Sequence, residues 1–216
     1  MKIGFTLKPN NGNILDFEKQ LSHLEEIEAG SAEIPLYELD VISGKKIIKD
    51  ELNLLNKTIQ NSNLQFSIHG SMSVNLLDEE YLSDHLEVLR KEVEVCSALN
   101  VNILVTHFGH TPVEVSKNHQ KYKDLINIQN EEYFKIAEVA KQNGVKLCIE
   151  NIFPYTNLHF TALPSEVSKN ISEINHPNAR TTIDFSHAYI NCNLRKKDLI
   201  SELETMVPFT EHLHIH

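Results

Sequence analysis

No run of apolar residues in this chain approaches the roughly 20 needed to cross a bilayer. The opening Met1 followed by KIGFTL is too short, and too broken by polar residues, to be a secretory signal. Together these two absences point to the cytoplasm and to no membrane partner. Cysteine is scarce: Cys96, Cys148 and Cys192 are widely spaced and odd in number, and form neither a disulfide framework nor a Cys-type zinc site. Cys96 and Cys148 stand among apolar neighbours and read as small buried residues. Positive charge is in deficit. A formal net charge of −10 removes any general pull toward nucleic acid or anionic membrane, although a local basic groove can still sit on an acidic protein. Finally, there is no GxGxxG turn and no Walker-type phosphate loop.

What is present is one repeating unit: a short β-rich run, a polar or glycine-containing turn, then an amphipathic helix. The expected strands are Lys2–Leu7, Ala32–Leu39, Leu64–His69, Asn102–His107, Lys146–Asn151, Arg180–Phe185 and Glu211–His216. Several are nearly continuous apolar runs, which suits parallel strands covered on both faces. Between them, Leu82, Leu86, Leu89, Val93 and Cys96 share one helical face. Ile48, Leu52, Leu55 and Ile59 repeat the pattern, as do Val167, Ile171 and Ile174, and Leu199, Leu203 and Met206. Pro164 suits a first helical turn, and Asn143-Gly144 ends the helix before it. With 216 residues, 41% hydrophobic and 23% charged, and no linker, the chain reads as a single domain over 1–216. Seven alternations allow an open doubly wound sheet or a closed barrel. The first turn, Lys8-Pro9-Asn10-Asn11-Gly12, lacks the glycines of a dinucleotide site, so the expectation is α/β with a TIM-type (β/α) barrel.

In such folds the chemistry gathers at the carboxyl ends of the strands. There the sequence places His69, His107, Glu150, Asp184 with His187 three residues on, and the trio His212, His214 and His216. A lone histidine at a strand end is more often a hydrogen-bonded structural residue than a ligand. A carboxylate directly after an apolar strand is harder to dismiss, because burying Glu150 or Asp184 unpaired would cost several kcal/mol. A cation in the barrel mouth relieves both at once. These residue types bind Zn²⁺, Mn²⁺, Co²⁺ or Mg²⁺. Alternation puts His212, His214 and His216 on one strand face, stacked in depth, so they cannot all reach one ion. On pattern alone His214 and His216 are nearly equal. His23, His85, His110, His119, His159 and His176 read as solvated or structural.

IHGSMSVNL at 68–76, VTHFGH at 105–110, CIEN at 148–151, IDFSHA at 183–188 and HLHIH at 212–216 resemble, in order, the xylose isomerase-like barrel superfamily. That group includes sugar and sugar-phosphate isomerases and epimerases, and endonuclease IV-type AP endonucleases. In its ketose epimerases one metal is held by a Glu on strand five, an Asp on strand six, a His on strand seven and a Glu on strand eight. The first three fall on Glu150, Asp184 and His214. The resemblance implies that Glu150 also moves the proton, and that His187 contacts substrate hydroxyls, with His69 and His107 near substrate too. Strand eight and its Glu have no counterpart here, so the barrel is expected to be incomplete at its C-terminal end. Such a barrel would expose two strand edges.

The expected function is therefore a divalent-metal-dependent isomerase or epimerase of a small sugar or sugar phosphate, in carbohydrate metabolism. A homo-oligomer is compatible with the sequence. The alternative is an endonuclease IV-like phosphodiester hydrolase with two or three metals, in which the resemblance assigns His69 and His107 to a first ion, Glu150 to a bridge, Asp184 and His214 to a second ion, and His187 to a third. Against it, Ile152-Phe153-Pro154-Tyr155 follows the strand-five Glu where those enzymes have glycines, and Phe108 follows His107 where they have proline. Tryptophan is also absent, with no aromatic-and-basic loop for gripping a kinked duplex. A non-catalytic sugar-binding barrel is the third reading. Lys8, Tyr37, Tyr155 and Arg180 are further residues that could meet sugar oxygens or phosphate, though each suits a surface or packing role better.

Overall fold

The structure, a computed structural model, describes residues 2–10 and 12–215. Seven strands form one parallel sheet: β1 Gly4–Thr6, β2 Ser31–Pro35, β3 Gln65–His69, β4 Ile103–His107, β5 Lys146–Glu150, β6 Ala179–Asp184 and β7 Thr210–His214. Their order in the sheet is their order in the chain, which is the topology of a (β/α) barrel rather than a doubly wound sheet. Each of the seven expected strands is found, most of them one to three residues shorter than expected. The second stops at Pro35 and passes into a turn of 3₁₀ helix at Leu36–Glu38. His216 lies outside the described residues.

The connecting helices are α1 Ile14–Glu26, α2 Lys49–Gln60, α3 Leu82–Ala98, α4 His119–Gln142, α5 Pro164–Ile174, α6 Phe185–Arg195 and α7 Leu199–Met206. Local sequence sets their ends. Asn13 caps α1 by accepting from the Leu15 amide, and Pro164 occupies the first position of α5. Gly144, at φ +70°, turns the chain after α4, a backbone angle that glycine adopts without strain. One helical expectation shifts: Ile48 is the N-cap of α2 and 38% exposed, while Leu55 and Ile59 carry that helix's buried face.

Period-two alternation sorts the strand residues onto two faces. Ile34, Ile68, Leu104, Leu147, Ile149 and Ile183 face the helices and are fully or almost fully buried with Phe17, Leu89, Ile136 and Ile171. Burying each such side chain contributes about 1.5–3 kcal/mol. Cys96, Cys148 and Cys192 are all buried and free, as expected of the first two. The opposite face carries Glu33, Ser67, His69, His107, Glu150, Asp184, His212 and His214. Glu33 on β2 hydrogen-bonds His212 and His214 on β7, although five ladders separate those strands in the sheet. The sheet therefore curls on itself, and its concave face is a polar interior. β1 and β7 are its two edges among the described residues.

Two small ladders sit beyond the carboxyl ends of the strands or near them. Ile42–Ser43 pairs with Lys46–Ile47, and His110–Pro112 pairs with Leu158–Phe160. The second ladder ties the loop after β4 to the loop after β5. No described helix is long and apolar enough to cross a membrane.

Candidate metal centre

Strand register delivers the site. His107 lies beside Glu150 across β4 and β5, Thr182 beside Glu150 across β5 and β6, and Asp184 beside His214 across β6 and β7. His107, Glu150, Asp184 and His214 are each the last residue of their strand, so their side chains gather at the carboxyl end of the interior. Asp184 is also the N-cap of α6, its Oδ1 accepting from the His187 amide at 2.7 Å. That contact fixes the turn that brings His187 back over the site.

Glu150 is the hub. Its Oε2 stands 3.3 Å from Nε2 of His107, 3.3 Å from Nδ1 of His214 and 3.5 Å from Nε2 of His69. None of these three contacts has hydrogen-bond geometry, which leaves a fully buried carboxylate oxygen without a hydrogen-bonding partner. Oε1 lies 3.3 Å from Nδ1 of His187, and that nitrogen also faces the Asn151 carbonyl at 3.0 Å. The resulting arrangement offers two overlapping ligand groups, Glu150–Asp184–His214 and His69–His107–Glu150, each with its donor atoms within 4.8 Å of one another. A buried carboxylate oxygen ringed by imidazole nitrogens, none in hydrogen-bond geometry with it, fits a divalent cation.

Electrostatics follow from the same packing. Burial opposes charge on Glu150, but the four surrounding imidazoles outweigh it and hold its carboxyl well below the ordinary range. Burial likewise opposes a charged His214, yet Glu150 and Glu33 together push it up to about 10. For His69 and His187 burial is again overcome, mainly through Glu150, and both are raised. His107 goes the other way, because its burial exceeds what Glu150 returns. In the ion-free protein the site is thus a set of imidazole–carboxylate pairs that a cation must enter by displacing protons.

All six expected site residues, His69, His107, Glu150, Asp184, His187 and His214, converge. Of the two strand-seven histidines among the described residues, His214 reaches Glu150 while His212 sits deeper, 3.0 Å from Glu33. Tyr37 stands at the rim, 43% exposed, its ring edge-on to His69 at 5.3 Å. Tyr155 connects to the rim through Phe153, whose ring centre is 5.9 Å from that of His187. Arg180 does not belong here: it lies at the amino end of β6, paired with Glu211 and the Pro208 carbonyl. Lys8 is exposed on the loop before α1.

Two buried residues escaped the sequence reading. Glu33 accepts from Thr6, Ser67, His212 and His214. Burial opposes its charge, but the hydrogen bonds from His212 and His214 keep it far below the ordinary range. A carboxylate between the apolar Ala32 and Ile34 of a strand is the available signal. Asn151, next to Glu150, pairs with both backbone groups of Asp184.

Known proteins share this architecture. The model of the xylose isomerase-like TIM barrel family matches residues 21–216. No curated protein matches the sequence. Among solved structures, a D-tagatose 3-epimerase-like protein superposes with a TM-score of 0.76 at 17% identity, over 100% of this chain and 76% of its own. D-allulose 3-epimerase from Methylomonas sp., solved with D-allulose, gives 0.75 at 15% identity, over 99% and 72%. D-psicose 3-epimerase from Clostridium cellulolyticum H10, solved with D-tagatose, gives 0.76 at 16%, over 100% and 73%. At such identities the likeness is one of fold.

Proposed function

The chain belongs to the xylose isomerase-like TIM barrel family, and on that premise we propose that it is a divalent-metal-dependent isomerase or epimerase of a small sugar or sugar phosphate. The observation that carries this reading is the buried Glu150 oxygen, ringed by His69, His107 and His214 without a hydrogen-bonding partner. Glu150, Asp184 and His214 would hold the ion. A bound divalent cation would act as a Lewis acid on a substrate carbonyl and acidify the neighbouring C–H. Glu150 is the carboxylate placed to accept that proton, since it stays ionised in the site. His187, anchored by its ring to the Asn151 carbonyl and by its amide to Asp184, orients substrate hydroxyls at the rim. Phe153 and Tyr37, both half exposed beside the imidazoles, shield the reacting carbon from water. The structural neighbours named for ketohexoses support a sugar as substrate.

Metal analysis, combined with turnover on a panel of ketoses and sugar phosphates, tests the reading. The protein should bind a divalent ion and convert at least one member of the panel. The Glu150→Gln variant should fold and lose conversion. Near-normal turnover by that variant removes Glu150 from the chemistry.

A second reading is supported by the approach of His69 and His107 to Glu150, which gives a second group, His69–His107–Glu150, that would hold a further ion beside Glu150–Asp184–His214. It would make the protein a phosphodiester hydrolase. One ion per chain favours the isomerase, and two or three favour the hydrolase. Cleavage of an abasic-site oligonucleotide decides directly.

A further inference from the structure

Beneath the proposed ion site, the interior holds a second carboxylate. Glu33 is 5% exposed, and hydrogen-bond donors meet both of its oxygens. Thr6 donates to Oε1 at 3.1 Å, and Ser67 donates to Oε2 at 3.3 Å. Nε2 of His212 and Nε2 of His214 each lie 3.0 Å from Oε2. An ionised carboxylate only accepts, so the ring nitrogens facing it carry the protons. For His214 this has a consequence on the other side of the ring. With the proton on Nε2, a neutral imidazole presents its lone pair at Nδ1, the nitrogen aimed at Glu150 Oε2 at 3.3 Å.

We infer that Glu33 is a positioning residue for the metal centre, which selects the His214 tautomer and ring orientation needed for Nδ1 to ligate the ion. The chain of contacts runs from carboxylate to imidazole to cation, with His214 as its middle member. Thr6 and Ser67 hold the carboxylate still, and His212 shares its second acceptor site. Glu33, His212 and His214 could themselves be read as an ion site, since their donor atoms lie within 4.8 Å of one another. The hydroxyls of Thr6 and Ser67 argue against this, because protons already meet the carboxylate from β1 and β3. This inference rests on the reading of Glu150, Asp184 and His214 as ligands.

Calorimetric titration with Mn²⁺ and Co²⁺, together with the visible spectrum of bound Co²⁺, tests it. Glu33→Gln should keep the secondary structure of the wild type, bind either ion roughly 10- to 100-fold more weakly, and change the Co²⁺ spectrum. His212→Gln, which leaves the Glu33–His214 contact in place, should retain the wild-type spectrum and affinity. Should Glu33→Gln fail to fold, Glu33→Asp decides by the same criterion, because it keeps the charge but draws the acceptor back by one methylene. Affinity and spectrum unchanged in the folded variant overturn the positioning role and leave the ion site standing. A wild-type protein that takes up neither ion overturns both.

Discussion

The carboxamide of Asn151 holds both backbone groups of Asp184: Nδ2 donates to the Asp184 carbonyl at 2.8 Å, and the Asp184 amide donates to Oδ1 at 2.9 Å. The ladder with β5 ends where Thr182 pairs with Glu150, so the Asp184 peptide groups on that side need partners beyond it. Asn151, one residue beyond Glu150, supplies them and locks two proposed ligands into one unit.

Replacing it tests that lock. Asn151→Ala takes an acceptor from the buried Asp184 amide and a donor from the Asp184 carbonyl, a buried hydrogen-bond pair whose loss costs about 1–3 kcal/mol. Urea unfolding should show a loss of about 1–3 kcal/mol, and the divalent ion should bind more weakly in the same variant. Unchanged stability would mean that water or another side chain takes over both contacts.

Ion binding should itself stabilise the protein. At a free concentration 100 times Kd, a ligand specific to the folded state adds about 2.7 kcal/mol. For a chain of this size that raises the melting temperature by about 5–10 °C. Thermal scans with and without Mn²⁺ or Co²⁺ should show this shift in the wild type, its reversal by a chelator, and its absence in Glu150→Gln. A shift of equal size in that variant would place the ion elsewhere.

How far the sequence exposes this site depends on where each residue's partners lie. Apolar runs ending in His69, His107, Glu150 and Asp184 mark strands and their carboxyl ends together, because a strand's inner face and its tip are adjacent in sequence. The helical faces of α3 and α5 are legible for the same reason. Glu33 is not, since the His212 and His214 rings it serves lie 179 and 181 residues away. Parity along β7 puts His212 and His214 on one face, but which of them meets Glu150 is a question of depth, set by how far the sheet curls. The resemblance implies His214, and the curl of the sheet brings its Nδ1 to 3.3 Å from Glu150. Ile48 fits the period of α2 yet sits outside it, because periodicity does not locate a helix's first turn.

The loop after β4 depends on a close approach. A Cβ at Gly109 would lie 2.4 Å from Asn75 Oδ1 and 2.7 Å from the Leu77 amide nitrogen. Asn75 in turn accepts from the amides of Leu77 and His110 and donates to the His110 carbonyl, joining the loops that follow β3 and β4. Gly109→Ala should therefore cost about 1–3 kcal/mol in urea unfolding, the usual range for overpacking. A neutral effect would show that the 71–77 loop can move aside.

Glu92 makes the sharpest pH prediction. It lies on α3 beside Leu89 and Val93, 1% exposed, with Oε1 accepting from the Ser71 amide at 2.6 Å and Oε2 buried without a partner against Gly70. Burial pushes its carboxyl up to about 7 from 4.5, and the Ser71 hydrogen bond offsets only part of that. The folded state therefore holds this proton more tightly than the unfolded chain does. The contribution is fully present below pH 4.5 and is lost as pH rises through about 7. The whole swing is about 3 kcal/mol, at 1.36 kcal/mol per pH unit. Glu92→Gln keeps the shape and removes the titration. The imidazole–carboxylate cluster around Glu150 also makes stability depend on pH, but it is common to both proteins and cancels in their difference. Urea unfolding at pH 5 and pH 8.5 should accordingly find the variant gaining on the wild type at the higher pH. A difference that stays constant between the two conditions would mean that Glu92 is solvated or paired in the folded protein, contrary to its burial.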